Sequence, residues 1–157
     1  MKTIKRTKIR LYANPQRVLA RYLNIGNAAR IAPVADYIRS LPAAVAAEQL
    51  ENLYQEFGER HADLPGIFRK NYERVTQYVP PLADAPKQVL LGAYFTNEYS
   101  IEAAALFNPS IVVHPDQQGV SAGGVRFLMS LRAAGEGHIS SVTFAIGLID
   151  AQGGVVL

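Results

Sequence analysis

Val125-Arg126-Phe127-Leu128-Met129-Ser130-Leu131-Arg132 decides the fold of this chain. Val125, Phe127, Met129 and Leu131 alternate with Arg126, Ser130 and Arg132, the period of a strand buried on one face. Downstream, Gly135-Glu136-Gly137-His138 reads as a tight turn, because two glycines permit positive φ. Val142, Phe144 and Ile146 alternate in the next strand, Gly153-Gly154 turns the chain, and Val155–Leu157 begins another. Upstream, the β-branched run Ser110–His114 ends at Pro115, and a polar, glycine-rich loop follows to Gly124. Residues 106–157 therefore read as an antiparallel meander of three to four strands.

Before the meander the period changes from two to 3.6. Pro33 fits the first turn of a short helix to about Arg39. Ser40 reads as the cap of a second helix with Pro42 in its first turn, where Leu50, Leu53, Tyr54 and Phe57 share a face. Phe68, Tyr72, Val75 and Val79 stripe a third helix that Pro80-Pro81 stops. Asp84 caps a fourth, with Pro86 in its first turn, expected to run to about Ala105 with Glu98 and Glu102 on one face. Residues 4–12 are expected to form an edge strand. After the Asn14-Pro15 turn, residues 16–23 should form a second short strand. The expected fold class is α+β, with residues 1–105 as a basic arm plus helical extension and 106–157 as the meander.

Apolar residues make up 49% of the 157-residue chain and charged ones 18%, values of a globular protein rather than a disordered one. With no cysteine there is no disulfide, no zinc–thiolate site and no thiol nucleophile. That composition fits a reducing cytosol, so the expected location is cytoplasmic. No apolar run approaches the roughly 20 residues that span a bilayer, so no membrane partner is expected. Residues 1–30 hold eight of the sixteen basic side chains and none of the thirteen acids, which leaves the rest net negative. A basic arm on an acidic body can bind nucleic acid or lie on an acidic protein surface. The arm lacks the aromatic and glycine interleaving of single-strand binders, so nucleic acid is not the expected partner.

Four residues could contact a ligand. Arg132, at a strand end, carries a planar fork suited to a carboxylate, a phosphate or vicinal hydroxyls, or it pairs with a carboxylate such as Glu136. His138 is a base or a ligand contact, or a structural residue of the hairpin. Ser140, with Ser141, can donate to a hydroxyl or mark a β-bulge. Asn108, held out of the helical region by Pro109, either caps the helix or presents its amide. There is no P-loop, nucleotide-binding glycine fingerprint or His-Glu-x-x-His motif, and no metal site or cofactor is expected.

Phe107-Asn108-Pro109-Ser110-Ile111-Val112, His114-Pro115-Asp116, Leu128-Met129-Ser130-Leu131-Arg132-Ala133 and Gly135-Glu136-Gly137-His138-Ile139-Ser140-Ser141 together resemble glycoside hydrolase family 130. Leu91–Thr96 and Tyr99–Ala105 resemble the helical N-terminal extension of its longer members. The resemblance implies a β-mannoside phosphorylase or hydrolase, inverting, with the meander as the first blade of a five-bladed β-propeller. It implies Asn108 and Arg132 as sugar contacts, with His138 and Ser140 nearby, and inorganic phosphate or water as the nucleophile.

A propeller needs several four-stranded blades, and residues 106–157 supply about one. The family's later Asp-Pro-Arg segment is absent, and Glu98, Glu102, Glu136 and Asp150 do not assemble into the acid and nucleophile that inversion requires. The chain is thus expected to be the N-terminal portion of such an enzyme, inactive alone, with its catalytic residues unassigned. Expected partners are a β-mannoside or related oligosaccharide, and either a second copy or the remainder of the propeller. The alternative is a non-catalytic interaction or assembly module that binds a partner protein through its helices and an exposed strand edge.

Overall fold

The computed structural model describes residues 8–157 and is α+β. Two compact units divide the chain, one of residues 18–99 and the other of residues 100–157 together with the segment up to residue 17.

The first unit holds strand β1 (Val18–Tyr22), helices α1 (Ala28–Ser40), α2 (Ala43–Phe57), α3 (Leu64–Val75) and α4 (Ala85–Tyr94), and all but the last residue of strand β2 (Thr96–Ser100), which pairs with β1. Side-chain caps set three of the helix starts. Asn27 accepts from Arg30 N, Asp63 from Gly66 N and Asp84 from Lys87 N, each filling one of the orphan donors of a first turn. The Asn27 cap corrects the expected start of α1. The helix begins five residues before Pro33, which lies inside it. Ser40 is not the cap of α2. Its hydroxyl donates back to Tyr37 O at 2.7 Å and closes α1, leaving Pro42 at the N-cap without a side-chain bond.

Helix α4 also departs from expectation. It stops at Tyr94, and Thr96–Ser100 is a strand, so Glu98 and Glu102 never share a helical face. Two interactions end it, one local and one with a distant strand. Gly92 O accepts from both Phe95 N and the Thr96 hydroxyl, turning the chain out of the helix. Beyond that turn, strand β2 pairs with β1 and carries Thr96 and Tyr99, types that suit a pleated surface.

The core of this unit gathers Ile31, Ala35 and Ile38 of α1, Val75, Val79 and Leu82, and Leu90, Leu91 and Phe95. Helices α3 and α4 meet where Gly92 has no side chain, since a Cβ there would sit 1.9 Å from Phe68 O.

In the second unit, β3 (Ala105–Val113), β4 (Val125–Ala134), β5 (Ser140–Ile149) and β6 (Val155–Val156) form an antiparallel sheet in that order. Phe127, Met129 and Leu131 make its core with Leu106, Ala145, Ile149 and Val155. The ring of Phe127 lies over Gly147, whose register partner it is. Residues 8–12 are not a strand, and the rest of the expected 4–12 strand lies outside the described residues. Instead, Ile9 and Leu11 line a cavity with Ile111, Phe127, Met129 and Ile149, so the arm covers the inner face of the sheet.

The expected alternation of β5 is present, and its large residues turn away from the core. Val142, Phe144 and Ile146 are each more than half exposed, while Thr143, Ala145 and Gly147 face the core. The β4–β5 register runs unbroken through Ser140 and Ser141, so no bulge lies there. The bulge sits in β3, between Phe107 and Ser110.

Substituting Gly92→Ala forces a methyl group against the α3 backbone, a clash that no rotamer relieves. The expected loss is about 2 kcal/mol or more, read as a lower urea midpoint, the upper part of the usual cost of overpacking. Ala93→Ser, one position on, serves as the control.

Candidate functional site

Asn108 and Pro109 make the β3 bulge, and the reason is local. Proline has no N–H to give a ladder, so pairing lapses between Phe107↔Arg132 and Ser110↔Ser130. Asn108 takes the strain at φ 51°, a left-handed conformation that asparagine tolerates better than most side chains. Expectation placed Asn108 at a helix-to-strand junction, kept from helical backbone by the proline. The structure has no helix there, and the residue sits within a strand.

Register sets the neighbours of the bulge. Phe107 of β3 faces Arg132 of β4, and the guanidinium lies 5.2 Å from the centre of the Phe107 ring. From β5, Ser140 accepts from Arg132 Nε at 3.1 Å and Nη2 at 2.8 Å. Among the described residues no carboxylate pairs with Arg132, Glu136 included. A ring and a hydroxyl therefore hold the fork while its charge stays uncompensated. Ser130 lies on the same face, as its phase with Arg132 requires.

Arg132, Ser140 and the Asn108 bulge thus come together at one end of the sheet. His138 does not join them. It occupies the β4–β5 turn at φ 60°, exposed, following Gly137 at φ 62°, and no hydrogen bond engages its ring among the described residues.

The candidate carboxylates have other work. Glu102 is buried, accepting from Asn14 N at 3.0 Å and from Arg17 Nη1 at 2.5 Å, and so ties the arm to the sheet unit. Asp150 accepts from Gln152 N and Gly154 N and shapes the last turn. In the helical unit, Glu98 accepts from Arg60 Nε at 2.9 Å and Nη2 at 3.2 Å, and lies 2.8 Å from His61 Nε2. Arg60's fork holds the Glu98 carboxyl below the usual carboxylate range. Partial burial opposes this, and the His61 bond adds to the lowering. Sequence reasoning missed this cluster, because Arg60 and Glu98 are 38 residues apart and no local pattern joins them.

Among the described residues no group of three or more His, Asp or Glu side chains could hold a metal ion, and no helix is long and apolar enough to cross a membrane. Comparison with protein-family models, curated proteins and solved structures finds no match.

Two outcomes are expected here. Asn108→Gly should keep the bulge and the stability of the sheet, while Asn108→Val should lose roughly 1–2 kcal/mol in chemical denaturation, since a β-branched residue resists positive φ. Glu98 is a group with a lowered folded pKa. Its stabilisation is present above the ordinary carboxylate range and lost as pH falls through the lowered value. Glu98→Gln should therefore cost no more than about 1 kcal/mol at pH 7, as suits a part-exposed ion pair. The difference from the wild-type chain should shrink as urea melts are repeated toward pH 3.

Proposed function

We propose that these residues are the N-terminal part of a glycosidase-like, carbohydrate-active enzyme of the cytoplasm. Its reaction class is inverting phosphorolysis or hydrolysis of a β-mannoside. The sheet is the first blade of its five-bladed propeller, and the bulged end of that blade is one wall of the sugar pocket. The observation that carries this reading is the Arg132 fork, held against Phe107 and Ser140 with no carboxylate among the described residues to neutralise it.

A sugar presents adjacent hydroxyls, each both donor and acceptor. A guanidinium supplies parallel N–H donors at the right spacing, and an amide such as that of Asn108 supplies one donor group and one acceptor. Ser140 orients the fork, and His138 borders the wall from the hairpin turn. Phosphate or water would be the nucleophile. The acid and the activating group are assigned to none of these residues. Glu98, Glu102 and Asp150 are committed to structural bonds, which favours a pocket completed by other residues.

A second reading rests on a different observation. Val112, Val142, Phe144, Ile146 and Val156 are exposed on one face of the sheet, as register pairing requires. Contiguous apolar faces of this kind mark interaction surfaces. An assembly module would cover this face with a partner protein, a second copy or further blades, and its short last strand β6 leaves an edge for strand addition.

Titration of the chain with mannose and β-1,4-mannobiose, followed by amide NMR, tests the first reading. Saturable shifts at Asn108, Arg132 and Ser140 are expected, and Arg132→Ala should remove them. If both sugars leave those signals unmoved while light scattering shows association that Phe144→Glu abolishes, the assembly module replaces the enzyme.

A further inference from the structure

A cleft of about 420 Å³ in the helical unit is walled by Arg21 and Tyr22 of β1 and by Lys70, Asn71 and Arg74 of α3. Three of these are cations and none of the lining residues is acidic. Lys70 and Arg74 stand four apart on one helical face, and the packing of α3 near β1 brings Arg21 to the same opening. Here no carboxylate pairs with Arg21, Lys70 or Arg74 among the described residues.

What positions the two guanidiniums is aromatic. Arg21 lies 4.8 Å from the centre of the Tyr99 ring, and Arg74 lies 5.3 Å from that of Tyr22. A stacked guanidinium loses conformational freedom yet keeps its N–H edge open, because the ring takes its face and not its donors. Two such forks and an ammonium at one opening form a preorganised anion site, with like charges that repel until an anion joins them.

We propose that this cleft binds a small phosphate monoester. A phosphoryl group brings nearly two negative charges and three acceptor oxygens, enough to meet both forks and the ammonium, where a carboxylate brings one charge and two oxygens. Space admits an ester as well as bare phosphate. At about 30 Å³ for each water in the liquid, the cleft exceeds what one tetrahedral ion fills. The organic body would rest along Tyr22. Asn71 contributes less, since its amide nitrogen already donates to the Thr96 hydroxyl at 2.7 Å. The proposal is independent of the sugar wall, which belongs to the other unit.

The test is NMR of arginine Nε–H signals in the whole chain. It is titrated with inorganic phosphate, with glucose 6-phosphate, and with glucose in sodium chloride at matched ionic strength. Saturable shifts of Arg21 and Arg74 are expected with both phosphates, tighter with the ester, and none with glucose or chloride. Arg74→Gln and Arg21→Gln should each weaken binding at least tenfold. Arg74→Lys should weaken it too, because it keeps the charge and loses the fork. Arg30→Gln, outside the cleft, should leave it unchanged.

Both arginines are exposed, and circular dichroism is the check that each variant folds. Should either variant fail to fold, Lys70→Gln replaces it. Shifts equal in phosphate and chloride, or affinity unchanged in the folded variants, overturn the proposal. Binding of a short oligonucleotide with no response to either phosphate overturns it in favour of a nucleic-acid surface.

Discussion

Strand β4 is paired on both edges and can bury only one of its two faces. Phe127, Met129 and Leu131 must go to the same side, and their burial pins the strand against a slip of one residue, which would turn all three to solvent. Everything else in the sheet unit follows from that phase. Gly147 falls opposite Phe127 and leaves room for its ring. Ser130 and Arg132 fall on the outer face, and the unbroken β4–β5 register carries Ser140 to the Arg132 fork. On the other edge, the β3 bulge brings Phe107 into line with Arg132. The cluster of Phe107, Arg132 and Ser140 is thus a by-product of core packing. No residue in it would hold its place if the alternation of β4 were lost.

The sequence was most legible where a signal is local. Asp84 and Pro86 start α4, the polar loop to Gly124 separates β3 from β4, and Phe68, Tyr72 and Val75 share the inward side of α3. Legibility failed where two local signals compete or where a partner lies far along the chain. The apolar content of Leu90–Phe95 argues for a helix and says nothing about where it ends. The end depends on β1, more than 70 residues earlier. Once Thr96–Ser100 became a strand, the expected Glu98–Glu102 pairing dissolved and each carboxylate found an arginine of its own unit.

The apolar residues of β5 left one question open. Alternation reveals that a strand has two unlike faces, and it does not reveal which face the core takes. Thr143, Ala145 and Gly147 are small enough to lie under Phe127, Met129 and Leu131, so the large side chains of β5 are turned outward. Asn108 is a third case. The rule that a residue before proline avoids right-handed helical backbone holds, and it does not say which other conformation is taken. Here the missing N–H of Pro109 opened a bulge whose geometry asks for left-handed backbone, and asparagine can supply it.

The arginines of this chain fall into groups that a count of charges would merge. Arg17 and Arg60 bond carboxylates, and their N–H groups are spent on holding the fold, even though Arg60 also lies over the Phe57 ring. Arg21, Arg74 and Arg132 lie over Tyr99, Tyr22 and Phe107 and pair with no carboxylate among the described residues. A stacked arginine gives up less of its hydrogen-bonding capacity than a salt-bridged one, and its position is fixed before any ligand arrives. That difference separates a guanidinium that stabilises from one that is ready to recognise. The sheet unit holds one of the second kind, bonded to Ser140 and close in register to the Asn108 bulge, which is where the sugar contact is proposed. The helical unit holds two beside a lysine, a setting for a dianion. Surface arginines left unpaired at random would lack the aromatic ring that each of these three has beneath it.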